Sequence, residues 1–241
     1  MSYLIVNADD FGLSAGVNAG IAETHRRGIV TSASLMVRPR AAVAAAELSR
    51  ELPGLSIGLH FDLGEWACRG GTWHKLYEVV SLDDGDAVRA ELWRQLDCFR
   101  ELLGRDPTHL DSHQHVHREA PVREIAAEIT AALDVPLRHF TLHHCNPGVR
   151  YCGDFYGQTR DGQSRPEAIL PERLIELIRD LPDGVTELAC HPGLDEFLPT
   201  MYCHERRREV EALCAAPVKD AAERFVKLIS FAELPKMELS P

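Results

Sequence analysis

The chain has 241 residues, 45% of them hydrophobic, and a formal net charge of −11. That acidity argues against nucleic acid, whose binders need basic patches to displace counterions, and against anionic lipid; it leaves a neutral or cationic small molecule as the expected partner. No apolar run approaches the ~20 residues of a membrane span, and no leader-like segment opens the chain, so stable membrane insertion is not expected.

The seven cysteines (Cys68, Cys98, Cys145, Cys152, Cys190, Cys203 and Cys214) form no C-x-x-C. They point to a cytoplasmic protein whose thiols are reduced and fill the core. The length fits one domain, residues 1–241, with enough core to fold without a metal or disulfide staple. A bound metal would therefore serve chemistry. The oligomeric state stays open, a homodimer included.

The elements alternate. Residues 3–8 (YLIVNA) read as a β-strand, and Ser14 caps a helix that stops at Gly28. Residues 32–37 are a second strand, and the alanine-rich stretch 41–52 is a helix ended by Pro53. Residues 56–63 are a third strand, followed by a loop with glycine, tryptophan and aspartate to about Asp84. The helical period runs over 86–103 and closes on Gly104. Residues 108–112 make a fourth strand. A helix starts near Pro121 and ends before Pro136, and residues 137–142 are a fifth strand. An irregular stretch, 143–168, precedes a helix opened by Pro171. Strand six spans 186–191, helices cover 205–214 and 219–225, and strand seven covers 226–231. Such alternation predicts an α/β fold with a parallel sheet, and seven units favour a (β/α) barrel, with ligands at the carboxyl ends of the strands.

Chemistry-bearing residues fall at that edge. Asp9 and Asp10 end strand one, His60 lies near the end of strand three, His113 follows strand four and His191 ends strand six. Adjacent side chains in a strand face opposite ways, so one of the Asp pair can bind a cation while the other faces substrate. The competing reading is an Asx turn or helix cap. His60 is either a hydrogen-bonded core histidine or a ligand. In Asp111-Ser112-His113-Gln114-His115-Val116-His117, three histidines share a face if the segment is extended, and His113 meets His117 if it is helical. Either geometry places two imidazoles on one cation, with Asp111 behind to fix a ring tautomer. His191, before Pro192-Gly193, is a general acid or a turn histidine. Phe61, Trp66, Trp73 and Tyr77 lie in or beside the third loop, where aromatic faces suit sugar rings. They equally suit a small core within the loop, the reading favoured for Trp73. Arg150 and Tyr156 sit in the long fifth loop, where functional residues often lie.

NADDFG at 7–12, GIVTS at 28–32, GLH at 58–60, PTHLDSHQHVH at 107–117, FYG at 155–157 and CHP at 190–192 carry a resemblance. In that order, and over nearly the whole chain, they resemble the YdjC-like carbohydrate deacetylases. The resemblance implies a deformed seven-stranded (β/α) barrel related to polysaccharide deacetylases, and removal of an N-acetyl group from an amino sugar. It implies one divalent metal ion, Zn or Mg with Mn or Co as alternatives, on Asp10, His60 and His113. It also implies Asp9 as the base and His191 as the acid, with His115 and His117 lining the site or standing behind it. Residues 65–84 and 146–150 depart from better-known members, which leaves the sugar open. The alternatives are a metal-dependent phosphoesterase or other amidohydrolase on a similar barrel, and a non-catalytic sugar-binding module.

Overall fold

A computed structural model describes residues 1–139 and 148–236. The strands β1 (Ser2–Phe11), β2 (Ser32–Leu35), β3 (Ser56–Phe61) and β6 (Leu110–Ser112) run side by side. On the other side of β1 stand β8 (Gly184–Cys190) and β7 (Val149–Cys152), giving the order β6-β3-β2-β1-β8-β7. The two-residue β9 (Lys227–Leu228) also pairs with β1, and every one of these pairings is parallel. Among the described residues β6 and β7 do not meet, so the sheet is a curled, incomplete barrel of seven strands. The strands at its centre are buried on both faces, which is why they read as continuous apolar runs.

Helices α1 (Ala15–Arg27), α2 (Ala42–Arg50), α3 (Gly85–Leu103), α4 (Val122–Leu133), α5 (Pro171–Arg179), α6 (Glu205–Cys214) and α7 (Ala216–Phe225) accompany the strands. The Ser14 hydroxyl accepts from Val17 N–H and caps α1, while Asp84 caps α3 and left-handed Gly104 ends it. On α3 the residues Val88, Leu92, Leu96 and Phe99 are fully buried at helical spacing. Each contributes up to roughly 1.5–3 kcal/mol of apolar burial.

Four expected elements differ. The loop after strand three is in fact a hairpin, β4 (Gly64–Arg69) and β5 (Thr72–Glu78), paired antiparallel across Gly70-Gly71. β5 is mostly exposed, and neither strand alternates apolar with polar residues, the pattern that marks a half-buried strand. The irregular stretch contains β7, too short and too little buried to stand out. Of the expected fifth strand, Leu137 makes one parallel bridge with Leu110, and 140–142 lie outside the described residues. Strand seven shrinks to β9, because the chain turns into a 3-10 helix at Phe231.

The NADDFG turn is set by backbone sterics. Asp10 has φ +66°, and the β1–β2 register shifts between Ala8 and Phe11. That irregularity re-aims the side chains, so both Asp9 and Asp10 line one cavity instead of alternating. Gly12 follows at φ +93°, where a Cβ would sit 2.5 Å from the Met36 carbonyl oxygen. Only glycine fits there.

Candidate active site

The cavity at the carboxyl edge of the sheet has a volume of about 670 Å³. Asp9, Asp10, His60, His113, His115 and His191 all line it. Asp10 Oδ1 lies 3.0 Å from His113 Nδ1 and 3.3 Å from His60 Nε2. One donor atom from each of the three residues lies within 4.8 Å of those of the other two, and all three residues are buried. The His60 ring is oriented from behind, its Nδ1 being 2.7 Å from Asp111 Oδ1. Asp111 also accepts from the Ser34 hydroxyl at 2.7 Å.

The electrostatics favour positive charge here. Burial works against protonation of His60, but the Asp111 carboxylate and the hydrogen bonds to Asp10 and Asp111 outweigh it and push the ring up to about 10. His113 is likewise pushed up to about 9, burial being outweighed by Asp10 and by Glu65. Burial would raise the Asp10 carboxyl, yet Arg206 and the two imidazoles hold it well below the usual range. A site that draws protons onto two buried imidazoles around a carboxylate also suits a divalent cation, and one carboxylate with two imidazoles is a donor set that Zn and similar metals accept. Asp9, His60 and Asp111 form a second close group. A guanidinium already bonds both of its carboxylates, which makes it the poorer cation site.

That guanidinium belongs to Arg138. It is buried and donates to both oxygens of Asp9, at 2.6 and 2.7 Å. It also pairs with Asp111 Oδ2 at 2.7 Å and Glu187 Oε1 at 2.6 Å. A second buried arginine, Arg206 on α6, donates to Asp10 Oδ2 at 2.6 Å. Each member of the Asp pair is thus held by its own arginine. Sequence reasoning passed over both: Arg206 stands in the run ERRRE, which reads as a solvated helix face, and Arg138 lies within the expected fifth strand with no motif of its own. Glu65 was also missed. It is buried, and its Oε2 is 3.8 Å from His113 Nε2.

His191 Nε2 lies 3.7 Å from Asp9 Oδ2. Burial pushes its pKa down to about 4, Asp9 and Asp10 opposing and Arg206 and Arg138 assisting, so the resting ring is neutral. Its backbone N–H donates to Glu209, which also accepts from the Tyr202 hydroxyl. Burial pushes the Glu209 carboxyl up to about 8 despite those bonds. The native state therefore holds a proton that the unfolded chain releases above about pH 4.5. Stability from this group is full below that pH and is lost as pH rises through 8. The Glu209→Gln variant is expected to gain stability relative to wild type between pH 4.5 and 8 in thermal melts; parallel curves would show that Glu209 titrates normally.

The His cluster adopts neither expected geometry. Residues His113–Arg118 form a 3-10 turn in which Gln114 and His115 have positive φ. That twist separates His113 from His117. The His117 ring bonds Ser112 Oγ at 2.6 Å and the Arg138 carbonyl at 3.1 Å, and it does not line the cavity. His115 lines the cavity beside Tyr151, its Nε2 3.2 Å from the phenol oxygen. Trp66 and Tyr156 also line it. Phe61 and Arg150 do not: Phe61 is fully buried in the main core, and Arg150 is exposed on edge strand β7. Trp73 does not form a loop core; it is 48% exposed and borders the cavity.

This fold and site define a curled (β/α) barrel with a carboxylate–imidazole centre at its strand ends. The chain belongs to the family of YdjC-like proteins, whose family model matches residues 3–224. A chitooligosaccharide deacetylase of Serratia marcescens is 36% identical over 262 aligned residues, taking in 96% of this chain and 98% of the relative. A carbohydrate deacetylase of Geobacillus stearothermophilus is 37% identical over 259, covering 98% and 99%. Among solved structures, an Enterococcus faecalis V583 chain, described provisionally as a cellobiose-phosphate cleavage protein, superposes with a TM-score of 0.74 at 27% identity, covering 97% and 98%. A family 4 carbohydrate esterase of Streptomyces lividans shares the fold at a TM-score of 0.54 and 10% identity, covering 95% and 91%. The expected relation to the deacetylase barrels is therefore present at the level of fold. Among the described residues no helix is long and apolar enough to cross a membrane, and six cysteines are free.

Proposed function

We propose that the protein is a metal-dependent carbohydrate N-deacetylase that releases acetate from an N-acetylated amino sugar or its oligosaccharide. The observation that carries this reading is one cavity holding both a three-donor cation site and a separate acid–base pair. Asp10, His60 and His113 would hold a divalent ion, Zn or Mg with Mn or Co as alternatives. Such an ion, when bound, acidifies water and polarises the acyl oxygen. Asp9 takes the proton from the attacking water. Arg138, on both of its oxygens, fixes the orientation of that carboxylate.

His191 is neutral at rest and sits next to Asp9, so it is placed to relay the proton to the leaving nitrogen. The acyl C–N bond then breaks, giving acetate and a free amine. Asp111 acts through His60 by fixing its tautomer. Trp66 and Tyr156 offer aromatic faces to the sugar. The free thiols are consistent with work in a reducing compartment, the cytoplasm.

A phosphoesterase would need cations free to grip phosphate. Both buried arginines of the site are spent on carboxylates, and a third arginine, Arg160 on the cavity wall, is exposed to solvent. A sugar-binding module would have no use for the Asp9–His191 pair.

An acetate-release screen over N-acetylated sugars, with chelator-stripped and metal-reconstituted protein, tests the proposal. Acetate is expected only after reconstitution. Metal-independent turnover, phosphate release, or no product from any sugar would overturn it.

A further inference from the structure

The hairpin that replaces the expected loop carries two of the three tryptophans of the chain. Its register pairs Trp66 with Lys75 and Cys68 with Trp73. Side chains alternate along a strand and cross-strand partners share a face, so Trp66 and Trp73 project from the same face as diagonal neighbours. Such neighbours stand roughly 7–8 Å apart, within reach of aromatic side chains. Both line the cavity, Trp66 next to the His113 turn and Trp73 at the rim.

The hairpin is tied down at three points. The Gln114 side chain bonds both the N–H and the carbonyl of Trp66, at 2.9 and 2.7 Å. The Cys68 N–H faces Met201 Sδ at 3.4 Å, and the Tyr77 hydroxyl donates to Asp62 Oδ1 at 2.9 Å. Gln114 makes its clamp from a positive-φ conformation that non-glycine residues rarely adopt. The same cavity is also lined by Thr159, Arg160 and Thr200, which offer hydroxyl and guanidinium groups. Indole surface and hydrogen-bonding groups within one cavity match a glycan, whose rings present C–H faces and hydroxyl edges. The 48% exposure of Trp73 leaves a large apolar surface uncovered at the continuation of the catalytic cavity.

We propose that Trp66 and Trp73 form a two-ring platform on which Trp73 receives the sugar adjoining the one that is deacetylated. Trp73 thereby selects di- and oligosaccharides over monosaccharides. This rests on the deacetylase reading and adds a subsite to it. Because the clamp presets the ribbon, little ordering is required on binding, and the gain appears in KM more than in kcat.

The test measures acetate release from an N-acetylated hexosamine and from its β-linked dimer and trimer. In wild type, KM should fall from one ring to two and change little from two to three. In Trp73→Ala, the trimer-to-monosaccharide ratio of kcat/KM should fall about 3- to 10-fold, the range of an aromatic contact, with most of it restored in Trp73→Phe. Trimer binding should also perturb tryptophan fluorescence in wild type and much less in Trp73→Ala. An unchanged ratio, or equal KM for one and two rings in wild type, overturns the platform. So does a Trp73→Ala protein that changes only its oligomeric state in size-exclusion, which would make Trp73 a contact between copies. If wild type releases no acetate from any sugar, the deacetylase reading falls, and the fluorescence titration still decides whether the platform binds glycan.

Discussion

Replacing Asp9 with asparagine is expected to slow acetate release at least ~100-fold while metal content stays near that of wild type. Asparagine keeps the size of the side chain and one acceptor oxygen but cannot take a proton. The proposed cation donors come from Asp10, His60 and His113 and do not include Asp9. Metal content is read by elemental analysis, and turnover is normalised to folded protein. That correction matters because the introduced amide would turn an N–H group toward the Arg138 guanidinium, and one of the two bonds made at this position would be lost. Arg138 keeps Asp111 and Glu187 as partners, so folding should survive. Near-normal turnover in the variant would sink Asp9 as the base. Loss of metal along with activity would move Asp9 into the cation site.

The largest stability effect is expected at Arg138. In Arg138→Met, the buried carboxylates Asp9, Asp111 and Glu187 lose the guanidinium they share. Removing one side of a buried ionic network costs about 3–5 kcal/mol, because the remaining charges stay buried without a partner. For a chain of this length that lowers Tm by roughly 6–20 °C. The loss should carry a pH signature. Burial already pushes Glu187 up to about 7 even with Arg138 beside it. Without the arginine, which lowers both Asp111 and Glu187, those two carboxyls rise, and protonation relieves their repulsion. The deficit against wild type should therefore be smaller at pH 5 than at pH 8. Arg138→Lys should recover only part of the stability, since an ammonium cannot make the two parallel bonds to Asp9. Thermal melts of the three proteins at both pH values check this. A deficit independent of pH would mean that lost packing, not unpaired charge, causes the destabilisation.

Apolar runs, caps and breakers placed α1, α2 and α3 and the central strands close to where they lie, because these depend on neighbours in the chain. The motifs also located Asp9, Asp10, His60, His113 and His191, since the carboxyl edge of a parallel sheet is a property of the alternation itself. Three features needed the tertiary structure. The His113–His117 geometry turned on two positive-φ residues, an outcome no periodicity signals. The hairpin was hidden because its two strands carry no hydrophobic alternation, so Trp73 read as a loop residue. Most of all, the charges that hold the Asp pair come from far along the chain. Arg138 is 129 residues from Asp9, and Arg206 is 196 from Asp10. Each is an ordinary surface-type residue by sequence. Only burial beside a carboxylate gives it a role, and burial is decided by the folded chain as a whole.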